Sequence, residues 1–124
     1  MQYVATDSAP KAIGPYSQAV KASGVLYTSG QISLDPSTGE LVPGDFDAQA
    51  RRVFENLKAV LAEGGSDFQR VLKATVYLTD LANFQSLNGI YAEYFGAHKP
   101  ARTTVQVSAL PKGSMVEIDL VALV

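Results

Sequence analysis

Two charged residues near the end of the sequence carry side chains suited to an anionic small molecule: Arg102 and Glu117. A guanidinium is a planar fork that keeps its charge and can grip a carboxylate through two parallel hydrogen bonds, where a lysine offers only a point charge. A carboxyl group can orient water or relay a proton. Both residues also have plain readings, as a surface or ion-paired Arg and as a solvated strand Glu. Tyr16 follows Gly14-Pro15, which would fix the backbone and present the ring. It can wall a cleft and donate its hydroxyl, or simply pack as an aromatic with a wet hydroxyl. Ser29-Gly30 ends an extended segment, and glycine permits close approach of backbone to ligand, so an N–H here could meet a carboxylate oxygen. As bare sequence the pair is only a turn signal. Asn88 stands in a helical stretch where Asn is unfavourable, which suits either a specific hydrogen bond or plain exposure.

Other chemistry is excluded by what the chain lacks. There is no cysteine, so thiol nucleophiles, disulfides and thiolate metal sites are out. The single histidine, His98, has no clustered carboxylates, so neither a metal centre nor a Ser-His-Asp triad is expected. Ten basic and twelve acidic residues give a net charge of −2, with no basic stripe to track a phosphate backbone, so nucleic acid is not the expected partner. No apolar run approaches the roughly 18 residues that span a membrane. The N-terminal residues do not read as a secretion signal, and a cytoplasmic location is expected.

The elements that must position these residues follow from periodicity. Residues 1–124 read as one domain. Ser17 to Ala22 and Val25 to Ser29 flank Ser23-Gly24, a hairpin signal. From about Asp47 to Glu63, Ala50, Val53, Phe54, Leu57, Val60 and Leu61 recur at helical steps, with Asp45 and Asp47 as caps or first-turn acids and Gly64-Gly65 as a stop. Val71 to Leu78 reads as a strand. A second helix is expected from about Asn83 to Phe95, with Phe84, Leu87, Tyr91 and Tyr94 on one side and Gly96 at its end. In the last quarter Thr103, Val105 and Val107 alternate with Arg102, Thr104 and Gln106, and Val116, Ile118 and Leu120 alternate with Glu117 and Asp119. Leu110 to Gly113 suits a type I turn. If the two strands form a hairpin, both apolar sets share one face only when the loop is even, which puts Arg102 and Glu117 together on the polar face. The register stays open. The expected fold is α+β, with two helices packed on one sheet face and the other face left for solvent or a partner.

In this setting several segments, in order along nearly the whole chain, resemble the Rid (YjgF-type) reactive-intermediate imine deaminases. They are Gly14-Pro15-Tyr16-Ser17-Gln18-Ala19, Thr28-Ser29-Gly30-Gln31, Tyr77-Leu78-Thr79-Asp80, and Asn88 with Tyr91 and Tyr94-Phe95. The most specific is Pro100-Ala101-Arg102, leading through Val105 and Val107 to Leu110-Pro111 and Val116-Glu117-Ile118.

The resemblance implies a chorismate-mutase-like fold with a mixed sheet, assembled as a homotrimer with ligand clefts at the subunit interfaces. It implies hydrolysis of 2-iminoacids to 2-oxoacids and ammonia without a cofactor. Arg102 would hold the substrate carboxylate, Glu117 would activate water or relay a proton, and Tyr16, Ser29, Gly30 and Asn88 would complete the cleft. Thr104 departs from the pattern, since Cys is frequent there. A contact made by its backbone carbonyl would be unaffected by that change. A non-catalytic 2-oxoacid-binding protein and an endoribonuclease or translation inhibitor are the competing readings.

Overall fold

The computed structural model describes residues 1–124. A six-stranded mixed sheet has the order β1-β2-β3-β6-β4-β5. Its strands are β1 (Gln2–Val4), β2 (Ala19–Ala22), β3 (Val25–Thr28), β4 (Val71–Leu78), β5 (Ala101–Gln106) and β6 (Val116–Leu123). The helices are α1 (Phe46–Glu63) and α2 (Phe84–Phe95). β2 and β3 form the expected hairpin: Ser23 and Gly24 take φ values of 51° and 77°, the pair of positive angles that a two-residue turn needs to match strand twist.

α1 begins where Asp45 accepts a hydrogen bond from the Ala48 N–H at 3.0 Å. Its apolar stripe, Ala50, Val53, Phe54, Leu57, Val60 and Leu61, is wholly buried. These side chains meet the inward residues of the central strands: Leu26, Ala74, Val76, Leu78, Val116, Ile118, Leu120 and Ala122. Register explains the match, because partners across a ladder point to the same face. Ala74 pairs with Leu120, Val76 with Ile118 and Leu78 with Val116. The α+β architecture with both helices on one face is as expected.

Two local expectations fail and a third holds in part. β5 and β6 do not form a hairpin. β5 runs parallel to β4 on the sheet edge, and β6 lies between β3 and β4, antiparallel to both. A parallel neighbour requires a long crossover, which α2 supplies between β4 and β5. The 110–113 turn is not type I, because Lys112 adopts φ 58° where type I needs about −90°. On α2 Leu87 is buried and Tyr91 and Tyr94 pack against the core as expected, Tyr94 stacking on Phe54 at 4.8 Å, whereas Phe84 is exposed and Ile90 and Phe95 are buried as well. The short strand β1 was not anticipated from sequence.

Candidate functional site

Glu117 projects from the open face of the sheet, because its neighbours Val116 and Ile118 point into the core. Past β3 the chain stays beside β6: Gln31 and Ile118 exchange backbone hydrogen bonds of 2.9 and 3.2 Å. This lays Ser29-Gly30 against Glu117. Ser29 is tied down, its N–H donating to the Gln18 carbonyl at 2.9 Å and its hydroxyl to the Ser17 carbonyl at 2.5 Å. Its hydroxyl oxygen keeps acceptor capacity, and the Gly30 N–H donates to no protein acceptor. Tyr16 closes the space from the other side. Gly14, at φ 117°, makes the turn whose carbonyl accepts from the Tyr16 N–H at 2.9 Å. Together with Pro10, Gln18 and Pro111, these residues line a hollow of about 400 Å³.

Gln18 is a residue whose role the sequence reading missed. Its buried amide clamps the N-terminal arm, accepting from the Thr6 N–H at 2.7 Å and donating to the Thr6 and Pro10 carbonyls at 3.0 and 2.8 Å. The clamp ties residues 6 to 10 to the chain just after Tyr16. The signal was present in the matched Tyr16-Ser17-Gln18 run, but an amide's partners are invisible in sequence.

Burial, and secondarily the charge of Asp119, raise the Glu117 carboxyl above its ordinary range. Burial also raises Asp119, against the pull of Tyr77 and Lys73. The open face thus holds a carboxyl group that keeps a proton more readily than a free one.

Arg102 lies elsewhere. It pairs with Ala74, whose side chain is in the core, so Arg102 projects toward the helices. There its guanidinium carbon sits 4.8 Å from the Tyr91 ring centre and 5.5 Å from that of Phe84. Arg102 has no ion-pair partner, the one salt bridge being Arg51–Glu93. Asn88 and Tyr91, one helical turn apart on α2, line a hollow of about 310 Å³ with Arg102, His98 and Lys99. His98 itself is engaged by the Val71 carbonyl at 2.7 Å. Thr104 pairs with Val76 and therefore shares the helix side, where its buried hydroxyl has no hydrogen-bond partner.

Seven residues singled out in the sequence thus fall into two groups. Tyr16, Ser29, Gly30 and Glu117 share one hollow, and Asn88 and Arg102 share the other, with Thr104 on the same strand face as Arg102. The expectation that Arg102 and Glu117 share a sheet face is wrong. Glu117 is in register with Tyr77 and through it with Val105, three residues along β5 from Arg102. Two strand spacings across and three residues along separate their Cα atoms by roughly 14 Å, with the side chains on opposite faces. The two side chains therefore do not line a common hollow in this chain.

A family model described as Endoribonuclease L-PSP matches residues 6–124. The chain belongs to the endoribonuclease L-PSP family. Among its L-PSP relatives, protein DfrA of Myxococcus xanthus is 60% identical over 94% of this chain and 91% of its own length. The human 2-iminobutanoate/2-iminopropanoate deaminase is 48% identical over 97% of this chain and 88% of its own. The crystal structure of RidA from the Antarctic bacterium Psychrobacter sp. PAMC 21119 superposes with a TM-score of 0.96 at 46% identity, covering all of both chains. The Rid resemblance and the L-PSP match therefore describe the same family and fold. No helix is long and apolar enough to cross a membrane.

Proposed function

We propose that this L-PSP family chain is a 2-iminobutanoate/2-iminopropanoate deaminase, working in the cytoplasm as a homotrimer. One observation carries the reading: Arg102 has no carboxylate partner and stands beside an open hollow. A buried or half-buried guanidinium ordinarily finds an anion, so one left without is a site for an anionic ligand. The names of relatives at about half identity over nearly the full length, the human deaminase among them, support the substrate class.

The two half-sites support this assembly. Arg102 stands on an edge strand, and Glu117 on an uncovered sheet face. Closed rotational symmetry can bring the edge of one protomer to the open face of the next, making each cleft from both. In such a cleft Arg102 holds the carboxylate of the 2-iminoacid in a two-pronged grip, and Asn88 adds a donor. The free Gly30 N–H meets the second carboxylate oxygen, while Ser29 and Tyr16 wall the opposite side. Thr104 contributes through its backbone carbonyl, so the hydroxyl in place of a thiol is neutral for the reaction.

The chemistry consumes only water. The imine nitrogen takes a proton, which makes C2 a stronger electrophile. Water adds to C2 to give a carbinolamine, and a proton moves from oxygen to nitrogen. Ammonia leaves as the remaining hydroxyl gives its proton back to the acid that supplied the first one, and the 2-oxoacid remains. In this reading Glu117 guides the water and carries the proton, and its raised proton affinity supports the second role. No step calls for a cofactor or a metal. RNA cleavage, to which the family description alludes, is not favoured by a net charge of −2 without a basic stripe.

The decisive experiment generates the imine in situ with a threonine dehydratase and follows 2-oxobutanoate release. Arg102→Ala should lower the rate at least about tenfold, the loss of a charge-assisted anchor. Equal rates for variant and parent would remove the mechanism.

A further inference from the structure

We infer that Tyr91 is a positioning residue for Arg102, holding the guanidinium by its ring face; the inference rests on the reading of Arg102 as the carboxylate anchor. Arg102 is on the sheet edge, with a neighbouring strand on one side only. It has no salt-bridge partner, and no hydrogen bond from its side chain restrains it. What does face it is aromatic: Tyr91 at 4.8 Å and Phe84 at 5.5 Å.

The two rings are not equivalent. Tyr91 is locked from behind, stacked on Phe95 at 4.3 Å and 25° and meeting Phe54 edge-on at 5.9 Å and 81°. Phe95 and Phe54 are fully buried. Phe84 is the first residue of α2, is 38% exposed and packs against no other ring. A core-anchored platform therefore bears the cation, and the looser ring covers it.

The choice of restraint matters chemically. A Glu or Asp partner would fix Arg102 equally well, but it would occupy the fork that the substrate carboxylate must enter. A ring face attracts the cation through its quadrupole and takes up no N–H donor. All five donors stay available, and the side chain loses less freedom when the ligand arrives. The Tyr91 hydroxyl is buried without a partner. It plays no part in this hold, so phenylalanine should replace tyrosine without loss.

The test compares Tyr91→Leu, Tyr91→Phe and Arg102→Ala by imine hydrolysis and by calorimetric binding of 2-oxobutanoate. Tyr91→Leu should raise KM and the 2-oxobutanoate Kd about 2- to 30-fold, the range for a cation over an aromatic face. Its kcat should change less. Tyr91→Phe should stay within about twofold, and Tyr91→Leu should add nothing in an Arg102→Ala background, the signature of one residue acting through another. In NMR, the Arg102 Nε–H resonance should be ring-current-shifted in the parent and in Tyr91→Phe, and should revert in Tyr91→Leu. An unchanged KM in Tyr91→Leu would overturn the proposal. So would an equal loss in Tyr91→Phe, or a full further loss on top of Arg102→Ala. Failure of the deaminase reading looks different: Arg102→Ala itself would leave hydrolysis untouched, while the NMR shift still reports the stacking.

Discussion

The Glu117 carboxyl group lies in the space that a side chain on residue 30 would need. A Cβ built on Gly30 would stand 2.8 Å from Glu117 Cδ and 3.0 Å from Cγ. Gly30 is absent from the residues with positive φ, so its lack of a side chain serves the contact and not the backbone angle. The obstructing atoms belong to a flexible side chain, which can swing aside at small cost. Gly30→Ala should therefore fold with a Tm within a few degrees of the parent, about 1 kcal/mol or less. It should nonetheless lose most of the proposed deaminase activity, about tenfold or more, because Glu117 is displaced. Melting and rate measured on one preparation check this; a fully active Gly30→Ala would show that the close approach is not used.

Glu117 also makes a prediction about pH and stability. Burial and Asp119 raise its folded-state proton affinity above that of the unfolded chain. A carboxyl shifted this way binds more protons folded than unfolded, so stability falls as pH rises from the unfolded value, about 4.3, through the higher folded one. Its contribution is complete below that window and lost above it. Glu117→Gln carries no charge at any pH. In thermal melts the variant should exceed the parent in Tm near pH of about 7.5, and the two should converge below about 4. A variant that is less stable at neutral pH would contradict the cost assigned to the ionised group.

Much of the fold was legible because local signals were strong and agreed. α1 has a cap, a six-residue apolar stripe and a double-glycine stop, and all three appear where the periodicity puts them. β5 shows why other parts were not. Alternation distinguishes two faces of a strand but not which one meets the core. Thr103 and Val105 look like the inward set, yet they face outward, because β5 is an edge strand whose helix side is given to Arg102 and Thr104. Nor does adjacency in sequence reveal that β6 pairs with β3 and β4 instead of with β5. The residue types of the candidate site were readable from their chemistry and the family motifs. Their division into two hollows depends on sheet order, which no motif records.

That division yields a prediction that separates a shared cleft from a site within one protomer. Arg102 and Glu117 belong to different hollows on opposite faces of the sheet. If each cleft joins the Arg102 half of one protomer to the Glu117 half of the next, Arg102→Ala and Glu117→Gln damage different halves of the same site. Each homotrimer would be nearly inactive. In a mixed ring of either composition, the interface where an intact Arg102 meets an intact Glu117 occurs once. Random assembly from equal amounts makes about three quarters of the rings mixed, so about a quarter of all clefts should be whole. Unfolding the two variants together and refolding them should therefore restore about a quarter of whatever deaminase activity the parent shows under the proposed function, while simple mixing of variants already folded as the proposed trimers restores little until subunits exchange. A site complete within one protomer gives no recovery under either protocol, because every protomer in the mixture carries a defect.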